Sequence, residues 1–148
     1  RIDIETGGRR LIRMQDNGCG MLRDDAMLAF ERHATSKLRD VKDLLSIATL
    51  GFRGEALPSI ASVSRFRLRT RLPEAQAGTE LRIEAGKLVS SREVGAPAGT
   101  LIEVADVFFN LPARRKFLKA DTAESAQISR LVTQLLETTR KLRTPSAQ

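Results

Sequence analysis

The chain has 148 residues, 41% of them hydrophobic and 29% charged, which suits about one domain with a real core and excludes a disordered segment. Its formal charge of +7 and pI of about 10.5 favour polyanionic partners through counterion release, or else simply a soluble basic surface. A single Cys excludes an internal disulfide, one His beside it leaves no zinc ligand set, no apolar run approaches the roughly 20 residues of a membrane span, and without Trp or Tyr base stacking has only six Phe to draw on.

Ile2 and Ile4, then Leu11, Ile12 and Met14, mark two β-rich runs around Gly7-Gly8, a pair that can take positive φ and predicts a hairpin. Asp16-Asn17-Gly18-Cys19-Gly20 is turn chemistry. Leu22 to Arg32 reads as a helix, with Asp24 and Asp25 in the first turn and Met27, Phe30 and Ala34 at helical spacing. The pattern breaks over Arg32-His33-Ala34-Thr35-Ser36-Lys37. Val41 to Leu50 reads as a second helix stopped by Gly51, and Glu55 to Ser62 as a third with Pro58 in its first turn.

From Ser64 the period changes to two. Phe66, Leu68 and Thr70 alternate with Arg65, Arg67, Arg69 and Arg71, a strand with one buried and one basic face. Leu81, Ile83 and Ala85 repeat the alternation, Gly86 punctuates a hairpin into Lys87 to Val94, and Thr100 to Asp106 is a further strand. Val107 to Leu118 reads as a mixed loop. Beyond it Ile128, Leu131, Val132, Leu135 and Leu136 form one helical stripe, with Asp121 and Glu124 spaced as a capping box. Hairpins plus helices gathered to one face predict an α+β two-layer domain. Arg1 to Glu5 reads as mid-strand and Thr144 to Gln148 as loop, so a piece of a longer protein is expected.

Several short stretches could carry chemistry. Asp16, fixed at a strand end, can accept a hydrogen bond from an amino group such as adenine's, and Gly18 and Gly20 let a flat ring approach the backbone; alone, the pentapeptide is as well an ordinary turn. It lacks the ligand spacing of a calcium loop. Gly51-Phe52-Arg53-Gly54-Glu55 leads into a helix, whose N-terminal amides bind phosphate, but it is neither a Walker A loop nor a Rossmann turn. Thr35, Ser36 and Lys37 offer two hydroxyls and an ammonium, or a solvated loop. Cys19 without a second Cys reads as a small thiol rather than a nucleophile. The arginine comb at 65 to 71 and the cluster Arg114-Arg115-Lys116 are each a solvated face or a binding surface.

Asp16-Asn17-Gly18-Cys19-Gly20-Met21, Arg32 to Lys37, Gly51-Phe52-Arg53-Gly54-Glu55-Ala56-Leu57 and Asn110-Leu111-Pro112-Ala113-Arg114-Arg115-Lys116-Phe117-Leu118 occur in the same order as in the MutL family of DNA mismatch repair proteins, which this chain resembles over nearly its whole length. That family shares the Bergerat-type ATP-binding sandwich of gyrase, certain heat-shock chaperones and the sensor histidine kinases (the GHKL superfamily). The resemblance implies a partial GHKL ATP-binding domain over 1–118, incomplete at its N-terminus, and a helix leading into a transducer-like subdomain over 119–148. It implies that Asp16 reads the adenine amine beside Gly18 and Gly20. Thr35, Ser36 and Lys37 would belong to a lid near the phosphates, Gly51, Phe52, Arg53 and Gly54 to a phosphate-cradling turn, and Thr100, after Gly99, to the last adenine-site motif. Asn110-Leu111-Pro112 departs from the family's usual Asn-Thr-Pro and lacks one hydroxyl. In the family the Glu that activates water and the Asn that holds magnesium sit on a helix before the first strand, so this stretch is expected to hold part of an ATP site, with ATP and Mg2+ as cofactors of the complete domain, to have no catalytic or metal-binding residue of its own and not to hydrolyse ATP alone.

The implied partners are DNA, held by Arg114, Arg115 and Lys116 with help from the basic strand, a mismatch-recognition protein of the MutS type, and a second MutL-like chain in a homo- or heterodimer; no membrane is implied. The implied location is the bacterial cytoplasm at the nucleoid, or a eukaryotic nucleus. The rival reading is a basic, non-sequence-specific DNA-binding module whose glycine turns are purely structural.

Overall fold

A computed structural model of the protein describes residues 1–30 and 56–143. The strands are β1 (Ile2–Glu5), β2 (Leu11–Gln15), β3 (Arg65–Arg71), β4 (Gly78–Glu84), β5 (Lys87–Val94) and β6 (Gly99–Ala105); the helices are α1 (Arg23–Leu28), α2 (Ala56–Ser62), α3 (Pro112–Arg115) and α4 (Asp121–Arg143). The strands form one sheet in the order β1-β2-β6-β3-β4-β5, and every neighbouring pair is antiparallel. Both β2 and β3 run against the β6 that separates them, so they are parallel to each other and the chain between them must cross over. This is the expected α+β two-layer arrangement.

The alternation in β3 decides which face is which. Phe66, Leu68 and Thr70 point to the helices and meet Ile83, Leu81 and Thr79 on β4 and Val104, Ile102 and Thr100 on β6. Leu68 and Leu81 are fully buried, and Phe66, Ile83 and Val104 nearly so. Two alanines let the helices come close, Ala26 of α1 and Ala61 of α2, both buried in the same cluster. Phe30 closes it edge-on to Phe66, centroids 5.0 Å apart at 74°, a geometry that favours the ring quadrupoles.

Several local expectations change. The first hairpin turns through five residues, with Glu5 opposite Leu11, and Thr6, Gly7 and Gly8 all have positive φ; a Cβ on Gly7 would lie 2.7 Å from the Cα of Asp121, so the glycine is needed for α4 to approach. The first helix ends at Leu28 rather than continuing to Arg32, with Ala29 as its cap. The 107–118 stretch contains the short α3, started by Pro112. The capping box at the start of α4 does not form. Glu124 accepts from the backbone N–H of Lys119 at 2.9 Å, while Asp121 pairs with Arg9 at 3.3 Å. Of the stripe on α4, Ile128 reaches the β1–β2 turn beside Gly8, but Leu131, Leu135 and Leu136 are exposed. The predicted helix over 41–50 lies outside the described residues. Among the described residues no helix is long and apolar enough to cross a membrane.

Candidate functional site

The site is built where β2 hands over to the turn. Asp16 leaves the sheet with its N–H donating to the Thr100 carbonyl at 3.0 Å. Its Oδ1 accepts from the backbone N–H of Gly18 at 2.9 Å and of Thr100 at 3.1 Å. Two amides on one oxygen fix the carboxylate plane and leave Oδ2 without a hydrogen bond among the described residues. Glycines allow the close packing this requires. Gly20 has φ +67 and Gly99 φ +115. A Cβ on Gly20 would overlap the Arg71 carbonyl, and one on Gly99 the Asp16 carbonyl.

Thr70, fully buried at the end of β3, ties these pieces together. Its Oγ1 accepts from the backbone N–H of Met21 at 2.9 Å, donates to the Gly99 carbonyl at 3.1 Å, and lies 3.1 Å from Thr100 Oγ1. The neighbouring Arg71 turns to the other face. It donates from Nε to the Ala96 carbonyl at 2.7 Å and from Nη1 to the Ala75 carbonyl at 2.6 Å, clamping the loops before β4 and before β6.

Asp16 and Thr100 border two hollows, one on each face of the sheet. On the helix-bearing face a pocket of about 290 Å³ is lined by Ile2, Met14 and Ile102, with Asp16 and Thr100 among the polar groups at its margin. Ile2 and Met14 there are 44% and 43% exposed. An apolar floor with hydrogen-bonding oxygens beside it suits a planar heterocycle. The larger hollow, about 370 Å³, lies on the charged face among Arg13, Arg69 and Glu103, and its charges already answer one another, as in the 3.4 Å pair of Arg13 and Glu103.

The charged face is organised by Glu80. Its side chain is fully buried beneath Arg69 at 2.7 Å, Arg92 at 2.9 Å and Arg82 at 3.2 Å. Burial by itself pushes the carboxyl up, but the hydrogen bonds from Arg69, Arg92 and Arg82 outweigh it and hold the pKa at about 2. Arg67 pairs with Glu103, and Arg65 pairs with Asp106 at 3.2 Å while stacking 4.6 Å over the Phe109 ring. The comb is therefore spent on internal partners. Arg114, Arg115 and Lys116, in and just after α3, are exposed, and none is ion-paired among the described residues. Phe117 beside them is 86% exposed, and Asn110 anchors the stretch by donating from Nδ2 to the Ser62 carbonyl at 3.1 Å.

Of the residues singled out from the sequence, the structure brings together Asp16, Gly18, Gly20 and Thr100. Thr35, Ser36, Lys37, Gly51, Phe52, Arg53 and Gly54 lie outside the described residues. Thr70 reads from the sequence as a plain strand position. Its signal is a hydroxyl in the phase otherwise filled by Phe66 and Leu68. Among the described residues no group of three or more His, Cys, Asp or Glu is placed to hold a metal.

No protein-family model matches the chain. Curated relatives do. The DNA mismatch repair protein MutL of Solibacter usitatus is 65% identical over 133 residues, and that of Acidobacterium capsulatum 59% over 133, each alignment covering 90% of this chain and 20% of the relative. The chain thus spans about a fifth of the length of these relatives. Among solved structures, the Aquifex aeolicus MutL ATPase domain complexed with ADP superposes with a TM-score of 0.63 at 40% identity, over 83% of this chain and 41% of that one. The N-terminal domain of a DNA repair protein gives a TM-score of 0.65 at 27% identity, over 90% and 38%. Sequence over nine tenths of its length and fold together place this chain in the MutL family, within the region of its ATPase domain.

Proposed function

We propose that the chain forms the adenine-binding part of a MutL-like mismatch repair ATPase. The observation that carries this is the carboxylate of Asp16, its Oδ1 held by the amides of Gly18 and Thr100 and its Oδ2 left to accept from a ligand amino group. Gly18 and Gly20 keep the turn thin beside the base, Thr100 adds a hydroxyl, and Ile2, Met14 and Ile102 supply the apolar floor. Thr35, Ser36 and Lys37 would reach the phosphates as lid residues, and Gly51, Phe52, Arg53 and Gly54 would cradle them. When bound, Mg2+ would screen phosphate charge, and none of the described residues is assigned to it.

Preferential binding of nucleotide to a closed lid would then shift the parent protein toward an N-terminally associated dimer, since a ligand biases an equilibrium only by its differential affinity. Such a protein would receive its signal from a mismatch-binding protein of the MutS type and work where DNA is handled, at the nucleoid of a bacterium or in a eukaryotic nucleus. Arg114, Arg115 and Lys116 would hold the DNA backbone without reading sequence. Residues 119–148 would begin a transducer-like subdomain, a reading supported by the exposed Leu131, Leu135 and Leu136. The rival DNA-binding module is disfavoured because Arg65, Arg67 and Arg69 are already engaged by Asp106, Glu103 and Glu80.

The test is equilibrium binding of an ATP analogue to the full-length parent, wild type against Asp16→Asn. Loss of binding with a normal circular dichroism spectrum is expected. Equal binding by the two would overturn the pocket assignment.

A further inference from the structure

The hydrogen bonds around Thr70 fix the direction of a proton. A threonine hydroxyl has one hydrogen and two lone pairs. Thr70 Oγ1 has three partners: the Met21 N–H at 2.9 Å, the Gly99 carbonyl at 3.1 Å and Thr100 Oγ1 at 3.1 Å. Met21 can only donate and Gly99 can only accept, so the Thr70 proton goes to Gly99. The contact with Thr100 is then favourable in one sense only, with Thr100 donating and Thr70 accepting. Thr70 is fully buried, so water does not offer an alternative, and leaving a buried hydrogen-bonding group unmatched is costly.

The consequence reaches the pocket. With its proton turned back into the sheet, Thr100 Oγ1 presents only lone pairs outward. Asp16 likewise turns carboxyl oxygens toward its neighbours as acceptors, and its Oδ1 is already taken by two amides. We propose that Thr70 is a specificity-determining residue: by accepting from the Thr100 hydroxyl it sets the pocket margin as a pair of acceptors, so that the site takes a base bearing an amino group and rejects its oxo counterpart. Thr70 acts through Thr100 and touches no ligand, so it is a positioning residue. The inference rests on the nucleotide reading above.

The probes are ATP and inosine triphosphate, which differ at the purine 6-position, amino against oxo, and at N1, a lone pair against an N–H. Equilibrium affinities of both are measured for the full-length protein as wild type, Thr70→Val, Thr70→Ser and Thr100→Val. Wild type is expected to prefer ATP strongly, as sites built around a substrate donor do. Thr70→Val keeps the side-chain shape but frees the Thr100 proton to point outward, and the ATP preference is expected to fall about tenfold or more. Thr70→Ser restores it. Thr100→Val lowers it too, and the double variant shows a smaller drop than the two single drops combined, because both act through one hydrogen bond.

A preference unchanged in Thr70→Val overturns the proposal while leaving the nucleotide site standing. If wild type binds neither nucleotide, the nucleotide reading falls and this inference with it. If Thr70→Val does not fold, the ratio in Thr100→Val decides: an unchanged preference there overturns the proposal.

Discussion

Replacing Glu80 by Gln tests a fully buried charge on the open face of the sheet. Folding lowers the Glu80 pKa from 4.5 to about 2, so the unfolded chain binds this proton more tightly than the folded one. The ionised carboxylate therefore contributes stability that is fully present above pH 4.5 and is lost as pH falls through about 2. Taken at face value the difference is worth about 3 kcal/mol. The arginines over it are 29%, 49% and 58% exposed, and water beside them screens the attraction, so about 2 kcal/mol is the better expectation. Glutamine keeps the shape and one acceptor but leaves Arg69, Arg82 and Arg92 crowded without a counter-charge. Hydrogen exchange of the full-length protein reads this locally, through the amides of β3 and β4. At neutral pH Glu80→Gln should exchange them roughly thirtyfold faster than wild type. The gap should shrink as pH falls below 4.5 and close as pH passes below about 2, where the Glu80 side chain of the folded wild type becomes neutral like glutamine. A change of less than about threefold at neutral pH, or a gap that does not shrink in acid, would refute the reasoning.

Other perturbations address separate parts of the molecule. Gly20→Ala puts a Cβ against the Arg71 carbonyl at a φ of +67; it should displace the Asp16 turn and weaken ATP-analogue binding at least about tenfold, whereas a simple left-handed-conformation cost of about 1–2 kcal/mol would lower stability and leave affinity untouched. Ala85 and Gly86 form the two-residue turn between β4 and β5 with φ of +49 and +82. Ala85→Asn should therefore stabilise, by about 0.5–1 kcal/mol, since asparagine tolerates this region better, and slower exchange of the hairpin amides would show it. Changing Arg114, Arg115 and Lys116 together to Ala should weaken DNA binding irrespective of sequence. The slope of log affinity against log salt should become shallower by about 0.9 for each phosphate that is no longer neutralised, measured by fluorescence anisotropy on duplex DNA, and an unchanged slope would remove this cluster from the DNA surface.

The strands were legible because one rule generates them. Phe66, Leu68 and Thr70 in alternation with arginines can be satisfied only by a sheet with one dry face, and the glycines at 86 and 99 fall where turns with positive φ occur. What was not legible is whatever depends on register. Nothing local to Glu80 distinguishes it from a solvated strand glutamate. It is buried because pairing sets Arg69 of β3 opposite it and Arg92 of β5 on its other side. The same register converts a comb that looked ready for a polyanion into a set of internal ion pairs, and turns Thr70 from the end of a strand into the junction of Met21, Gly99 and Thr100. Asp16 was found from sequence because its neighbours in the chain, Gly18 and Gly20, are also its neighbours in space. Thr70 lies 54 residues along the chain from Asp16, so its part in the site emerges only when β3 and β6 are paired. Motifs therefore mark the residues of such a site that are contiguous in sequence, while the residues that orient them arrive by strand pairing and are to be sought as polar side chains in an apolar phase.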